Sequence, residues 1–237
     1  PGVTNVTGRI IIRGIASTAT KSSGVEINGI DIEKEKEMFT LSKKLISGTG
    51  SFFETDTKFN TAFIGEKLAK ELNIIRYIIT PEALVSLKEE GVPSEIVSKV
   101  GLLQEQRFTS DKKFVKAYEK LLTPNEIHKY GWKIREAAWS YREGSKIILS
   151  FLDINNNQTG SAFRVSGIFR TNNDMFESLS LFVPIDEMRQ LTGMKEGTFH
   201  RIIARLENNN LTNSITPIIR EKKPDYEVLS WKEIQPD

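Results

Sequence analysis

Cysteine is absent from the 237 residues. With it go disulfides, thiolate nucleophiles and cysteine-based zinc or iron–sulfur centres. A cysteine-free chain also fits an extracytoplasmic bacterial protein. Histidine is scarce: His128 and His200 are the two in the chain, and neither has a second His, Asp or Glu at a recognised ligand spacing. No metal or cofactor is therefore expected. Charge of one sign is not in excess either, since 33 basic and 31 acidic residues leave a formal net charge of +2. Nucleic acid, which calls for a basic stripe or face, is not an expected partner. No run approaches the roughly 18 to 20 consecutive apolar residues that span a bilayer, and no signal-peptide pattern opens at Pro1. The chain starts at Pro1-Gly2-Val3 without a methionine and stops at Gln235-Pro236-Asp237, so it reads as a segment of something longer.

Catalytic signatures are missing as well. Neither G-x-S-x-G nor H-E-x-x-H occurs. The loop Ser47-Gly48-Thr49-Gly50-Ser51 lacks the lysine and the strand-to-helix setting of a phosphate cradle, and reads as a surface turn. Thr18-Ala19-Thr20-Lys21 pairs hydroxyls with a lysine but has none of the companion motifs of that chemistry. The carboxylate pairs Asp31/Glu33 and Asp186/Glu187 flank helix starts, where the helix dipole favours acids, and that explains them without acid–base catalysis. The expectation is a protein that is not an enzyme.

What is present is a clear punctuation of strands and helices, with 38% hydrophobic residues, enough to bury a core. Val6 to Ser17 carries the β-branched run Ile10-Ile11-Ile12 and reads as a strand. In SGVEINGIDIEKE, Val25 and Ile27 alternate with polar residues around the turn pair Asn28-Gly29. Lys34 to Phe39 reads as a short helix, Phe63-Ile64 as a strand end, and Gly65 to Leu72 as a helix. From Ile74 to about Glu143 the period changes from 2 to 3.6. Thr80-Pro81-Glu82 is an N-cap with proline at the first helical position, Gly91 is placed to end that helix, Pro93-Ser94-Glu95 starts another, and Thr123 with Glu126 makes a capping box. The aromatics of this block, Phe114, Tyr118, Trp132, Trp139 and Tyr141, read as its core. Strands return at Ser145–Ile154 and Ala162–Thr171, where Ile147, Leu149 and Phe151 would pair with Phe163, Val165 and Ile168, with a bulge at Ser166-Gly167. Phe163 to Leu191 then reads as strand, polar turn, strand and the short helix Asp186 to Leu191. FHRIIARLE is a strand, LTNSITPIIREKK a helix that Pro217 must enter early or kink, and DYEVLSW a closing strand. Phe52-Phe53 stands out: two adjacent phenylalanines in a glycine loop do not easily both face inward, so one of them is the candidate partner-binding side chain.

The order of these pieces carries a resemblance. SGVEINGIDIEKE, LSKKLISG, AFIGEKLAKEL, GSKIILSF, FRVSGIFRT, ESLSLFVPIDEMRQLTG and a final strand–helix–strand resemble, in that order, the periplasmic core domain of MacB/LolC/LolE-type ABC-transporter permeases, the FtsX-like superfamily. The resemblance covers most of the chain outside 74–143. It implies an α+β fold with a porter-like αβ lobe from the two chain ends (1–24 and 197–237), a β-rich sabre-like lobe (25–73 and 144–196) and a helical insertion (74–143). It also implies an inner-membrane protein whose segment here is periplasmic, coupling cytoplasmic ATP hydrolysis to motion, in lipoprotein release or efflux. Implied partners are a cytoplasmic ATPase subunit reached through flanking transmembrane helices, a second permease copy or paralogue, and a lipoprotein or other envelope client. Two departures stand against the family pattern: about seventy residues intervene at 74–143, and the loop DINNNQTGS is too short for the hook that recruits a chaperone. The alternative is a free-standing periplasmic or secreted binding module.

Overall fold

The computed structural model describes residues 2–53 and 58–234. The ends of the outermost expected ranges, residue 1 and residues 235–237, lie outside them. In chain order the elements are β1 (Val3–Ser17), β2 (Ser22–Ile30), α1 (Ile32–Met38), β3 (Thr61–Gly65), α2 (Glu66–Glu71), β4 (Ile75–Ile78), α3 (Pro81–Glu89), α4 (Ser94–Gly101), β5 (Arg107–Phe108), α5 (Asp111–Tyr118) and α6 (Pro124–Ala138). There follow β6 (Trp139–Tyr141), β7 (Lys146–Leu152), β8 (Gln158–Phe169), α7 (Asp174–Leu179), β9 (Ser180–Pro184), α8 (Ile185–Thr192), β10 (Arg201–Leu206), α9 (Thr212–Lys222) and α10 (Trp231–Ile234). The architecture is mixed α+β, as expected.

Six strands close on themselves. β1 pairs with β2, β2 with β9, β9 with β3, β3 with β8 and β8 with β7, and β7 returns to β1 through Gly14–Ser17. Alternation along each strand sends one side chain in two to the interior. Val25, Ile27, Ala62, Ile64, Ile147, Leu149, Val165, Leu181 and Val183 fill it. The intervening residues Phe63, Phe169 and Phe182 face outward and build a second cluster with Ile30, Phe52 and Phe53, against which Phe176 of α7 packs.

β1 belongs to two structures at once. Its first half pairs antiparallel with β10, from Val3 opposite Leu206 to Arg9 opposite Arg201, and its second half enters the barrel. A division at residue 24 therefore falls inside β2 and does not coincide with a break in the sheet. The segment 74–143 holds its own core of Tyr77, Leu87, Val97, Val100, Phe114, Tyr118 and Ile134 among others. It is not purely helical: β5, β4 and β6 make a three-stranded sheet there. The caps read from sequence are in place, with the Thr80 hydroxyl accepting from the Ala83 amide, the Thr123–Glu126 box formed, and Gly91 in the left-handed region beyond α3 at φ +78°. Phe114, Tyr118 and Tyr141 are buried, whereas Trp132 is 59% exposed.

Four local expectations are corrected. Asn28-Gly29 is not a turn but lies within β2, where Gly29 pairs with Ile10 and Val183. A Cβ on Gly29 would stand 3.0 Å from Met188 of α8, so the glycine serves close packing of that helix. The polar turn after β8 contains α7, capped by Asn173, whose side chain accepts from the Phe176 amide. In the β7–β8 hairpin Ile147 opposes Phe163, but Leu149 and Phe151 face Ser161 and Thr159, because the second half of β8 is the part that pairs with β3. The bulge at Ser166-Gly167 falls on that parallel pairing, between Ala62 and Phe63. DYEVLSW forms no strand. The Val228 carbonyl is taken instead by Arg220 Nε at 2.9 Å, the Arg220 guanidinium also holds Glu233, and the last described element is α10.

Candidate functional site

The residues singled out in the sequence are dispersed. Asp31 caps α1 by accepting from the Lys34 amide, Glu33 pairs with Lys36, and Asp186 pairs with Arg189. Glu187 is half-buried in the first turn of α8, and burial lifts its carboxyl to about 7, partly offset by the Thr61 backbone amide. Among the described residues no group of three or more His, Asp or Glu is placed to hold a metal ion. The Ser47–Ser51 loop clasps β8: Thr49 Oγ1 donates to Ile46 O and accepts from the Ile168 amide, and a Cβ on Gly50 would collide with Ser166 O at 2.0 Å. Thr18 Oγ1 closes the β1–β2 turn by accepting from the Lys21 amide.

Phe52 and Phe53 are both 7% exposed, which overturns the expectation that one of them faces outward. The reason is backbone geometry. Phe53 sits at φ +84°, in the left-handed region that a bulky residue rarely adopts. This conformation lets both neighbours of the pair point to one side. Their rings meet edge-on with centroids 5.0 Å apart, and Phe52 meets Phe63 in the same way at 5.0 Å. Exposed apolar surface lies elsewhere, on the barrel wall at Ile15, Ile148 and Leu152, and near the chain end at Tyr226, Trp231 and Ile234.

The most strongly organised polar site is the neck where 74–143 joins the barrel. β4 and β6 leave side by side, with Ile75 opposite Tyr141 and Tyr77 opposite Trp139. Their base is held by Glu66, at the start of α2 and nearly buried. The Tyr141 hydroxyl donates to Glu66 Oε1 at 2.5 Å, while Arg170, just past β8, grips both carboxylate oxygens, Nε on Oε2 at 2.5 Å and Nη2 on Oε1 at 2.6 Å. Lys70 reaches Oε1 at 3.0 Å. Bidentate guanidinium contacts of this kind are the strong, orienting class of ion pair. The Arg170 bond holds the Glu66 carboxyl down at about 2 despite burial, and burial with the Glu66 charge pushes the Tyr141 phenol up. Trp139 packs against both the barrel core and the core of the inserted segment. The arrangement fixes the orientation of one unit on the other.

Sequence reasoning missed this site. Glu66 lies 75 positions from Tyr141 and 104 from Arg170, and an acid opening a helix reads locally as a dipole partner. A second ion pair with a buried acid, Arg9 with Glu35, was equally hidden; burial raises the Glu35 carboxyl although Arg9 opposes this, and the Arg9 guanidinium lies 4.8 Å from the Phe39 ring centroid.

No family model matches the chain, and no curated protein matches it. Among solved structures, it is similar to the extracellular domain of the noncanonic ABC-type transporter YknZ from Gram-positive bacteria, at 12% identity and a TM-score of 0.45, covering 97% of this chain and 82% of that one. Among the described residues no helix is long and apolar enough to cross a membrane.

Proposed function

We propose that this chain is the extracytoplasmic domain of a bacterial ABC-transporter permease of the lipoprotein-release or efflux type, in which cytoplasmic ATP hydrolysis is coupled to displacement of this domain, itself carrying out no covalent chemistry. The observation that carries the reading is that both ends of the described chain gather on α9. A Cβ on Gly2 would lie 2.6 Å from Ile215 and 3.2 Å from Leu211, and Arg220, about a turn and a half further along, holds Val228 and Glu233. A domain carried in the loop between two membrane spans needs its entry and exit side by side. The exposed aromatics Tyr226 and Trp231 at that end suit a membrane–water boundary. The ordered segments noted in the sequence support the same assignment, with a cytoplasmic ATPase, a second permease copy or paralogue, and a lipoprotein or other envelope client as partners. Motion would be rigid-body displacement of packed units.

Cell fractionation of the full-length native product tests this. It is expected in the membrane fraction, with the segment 1–237 open to protease from outside and an ATPase subunit co-purifying. Recovery of the full-length product in the soluble fraction refutes the assignment and favours the free-standing binding module.

A further inference from the structure

A groove of about 600 Å³ opens where the return from the inserted segment meets the barrel, lined among others by Ser17, Thr18, Arg142, Glu143, Lys146 and Arg164. Its charge is lopsided. Lys146 and Arg164 are direct cross-strand partners in β7 and β8, so their side chains share the outer face. Like charges placed directly opposite destabilise a sheet. Neither is relieved by an acid: among the described residues, no carboxylate forms an ion pair with Lys146, Arg164 or Arg142 within 4.0 Å, although the chain holds 31 acidic residues. Arg164 Nη1 donates to Gly144 O at 3.0 Å and its guanidinium lies 5.3 Å from the Phe59 ring centroid. Arg142 Nε donates to Ser145 Oγ at 2.8 Å. The acid lining the groove among the described residues, Glu143, pairs with Arg76 at 3.9 Å. Lys21, lining the adjoining depression with Thr20 and Ser22, is likewise without an ion-pair partner among the described residues.

From this we infer that the groove binds a phosphate group carried on a larger molecule. Among the described lining residues three cations stand against one carboxylate, which matches a doubly charged oxyanion better than a single carboxylate, and two guanidinium groups suit the geometry of phosphate. The volume exceeds what a bare phosphate fills and lies in the range of ligand pockets. The phosphate belongs either to a phospholipid headgroup or to a soluble phosphate ester. This inference does not rest on the permease assignment.

The test uses the 237-residue chain, the single variant Lys146→Gln and the double variant Lys146→Gln/Arg164→Gln. Lys146 makes no side-chain hydrogen bond among the described residues, so its replacement leaves the fold intact, which the thermal unfolding midpoint checks. Inorganic phosphate, titrated against sodium chloride at matched ionic strength, is expected to shift the amide resonances of residues 142–146, 164 and 18–22 in a saturable way. Affinity is expected to fall by about tenfold in the double variant, as loss of charged hydrogen bonds implies, and by less in Lys146→Gln. Flotation with vesicles of phosphatidylcholine containing phosphatidylglycerol distinguishes the sources: binding abolished by the double variant assigns a headgroup, and phosphate binding without vesicle binding assigns a soluble ester. Shifts that sodium chloride reproduces, or that persist in the double variant, overturn the inference, as does binding of neither probe.

Discussion

Two carboxylates with opposite displacements make the residue scale testable. Folding lowers Glu66 from its ordinary 4.5 to about 2, so its contribution is fully present above the unfolded value and is lost as pH falls from about 4.5 towards 2. We expect Glu66→Gln to destabilise the chain by about 2 to 3 kcal/mol at pH 7, because Arg170 and Tyr141 lose their charged acceptor. The loss should shrink towards zero near pH 2, as read from urea unfolding at several pH values. Tyr141→Phe removes one donor and should cost about 1 to 2 kcal/mol. Glu187 runs the other way: its folded value near 7 lies above 4.5, so the unfolded chain ionises first and stability is lost as pH rises through that window. Glu187→Gln should therefore be more stable than the parent at pH 8 and differ little at pH 4, and a parent equally stable relative to the variant at both values would refute this. For the phenylalanine pair, Phe52→Ala is expected to cost about 3 to 4 kcal/mol in thermal or chemical unfolding, as for a buried ring. Trp132→Ala, at an exposed position, should change stability by less than about 0.5 kcal/mol.

At the scale of elements, legibility followed the range of the interaction that decides each one. The caps at Thr80 and Thr123 and the stop at Gly91 were readable because the deciding bonds span three or four residues. Asn28-Gly29 misled because a turn signal and a close-packing signal use the same residue, and only the position of Met188 tells them apart. The alternation in DYEVLSW satisfies a strand pattern, yet Arg220 claims its backbone from the preceding helix. The Glu66 site left no local trace, since its three principal members come from three separate stretches. The segment 74–143 was visible as a change of period, and its own core supports treating it as separable. Ile74 and Tyr141, however, pack in the barrel core, so the clean cut lies just inside them. Because β4 and β6 are paired, their ends are about 5 Å apart and a short glycine-rich turn can bridge them. Deletion of 76–140 with such a bridge should leave a remainder that still unfolds in one cooperative thermal transition; a remainder without such a transition would show that the segment belongs to the main core.

For the whole molecule, the arrangement of β1 matters most. Fifteen residues of extended chain reach about 50 Å, running without interruption from the α9 end of the molecule into the barrel wall. Hydrogen bonds to β10, β2 and β7 lie across this strand along its length. A pull applied at Val3 along the strand thus loads many bonds side by side in shear, and they must fail together, not one after another as in an opening zipper. The barrel is in this sense hung on a cable with few weak links, and the same strand that shares two sheets would carry tension from one to the other with little stretch.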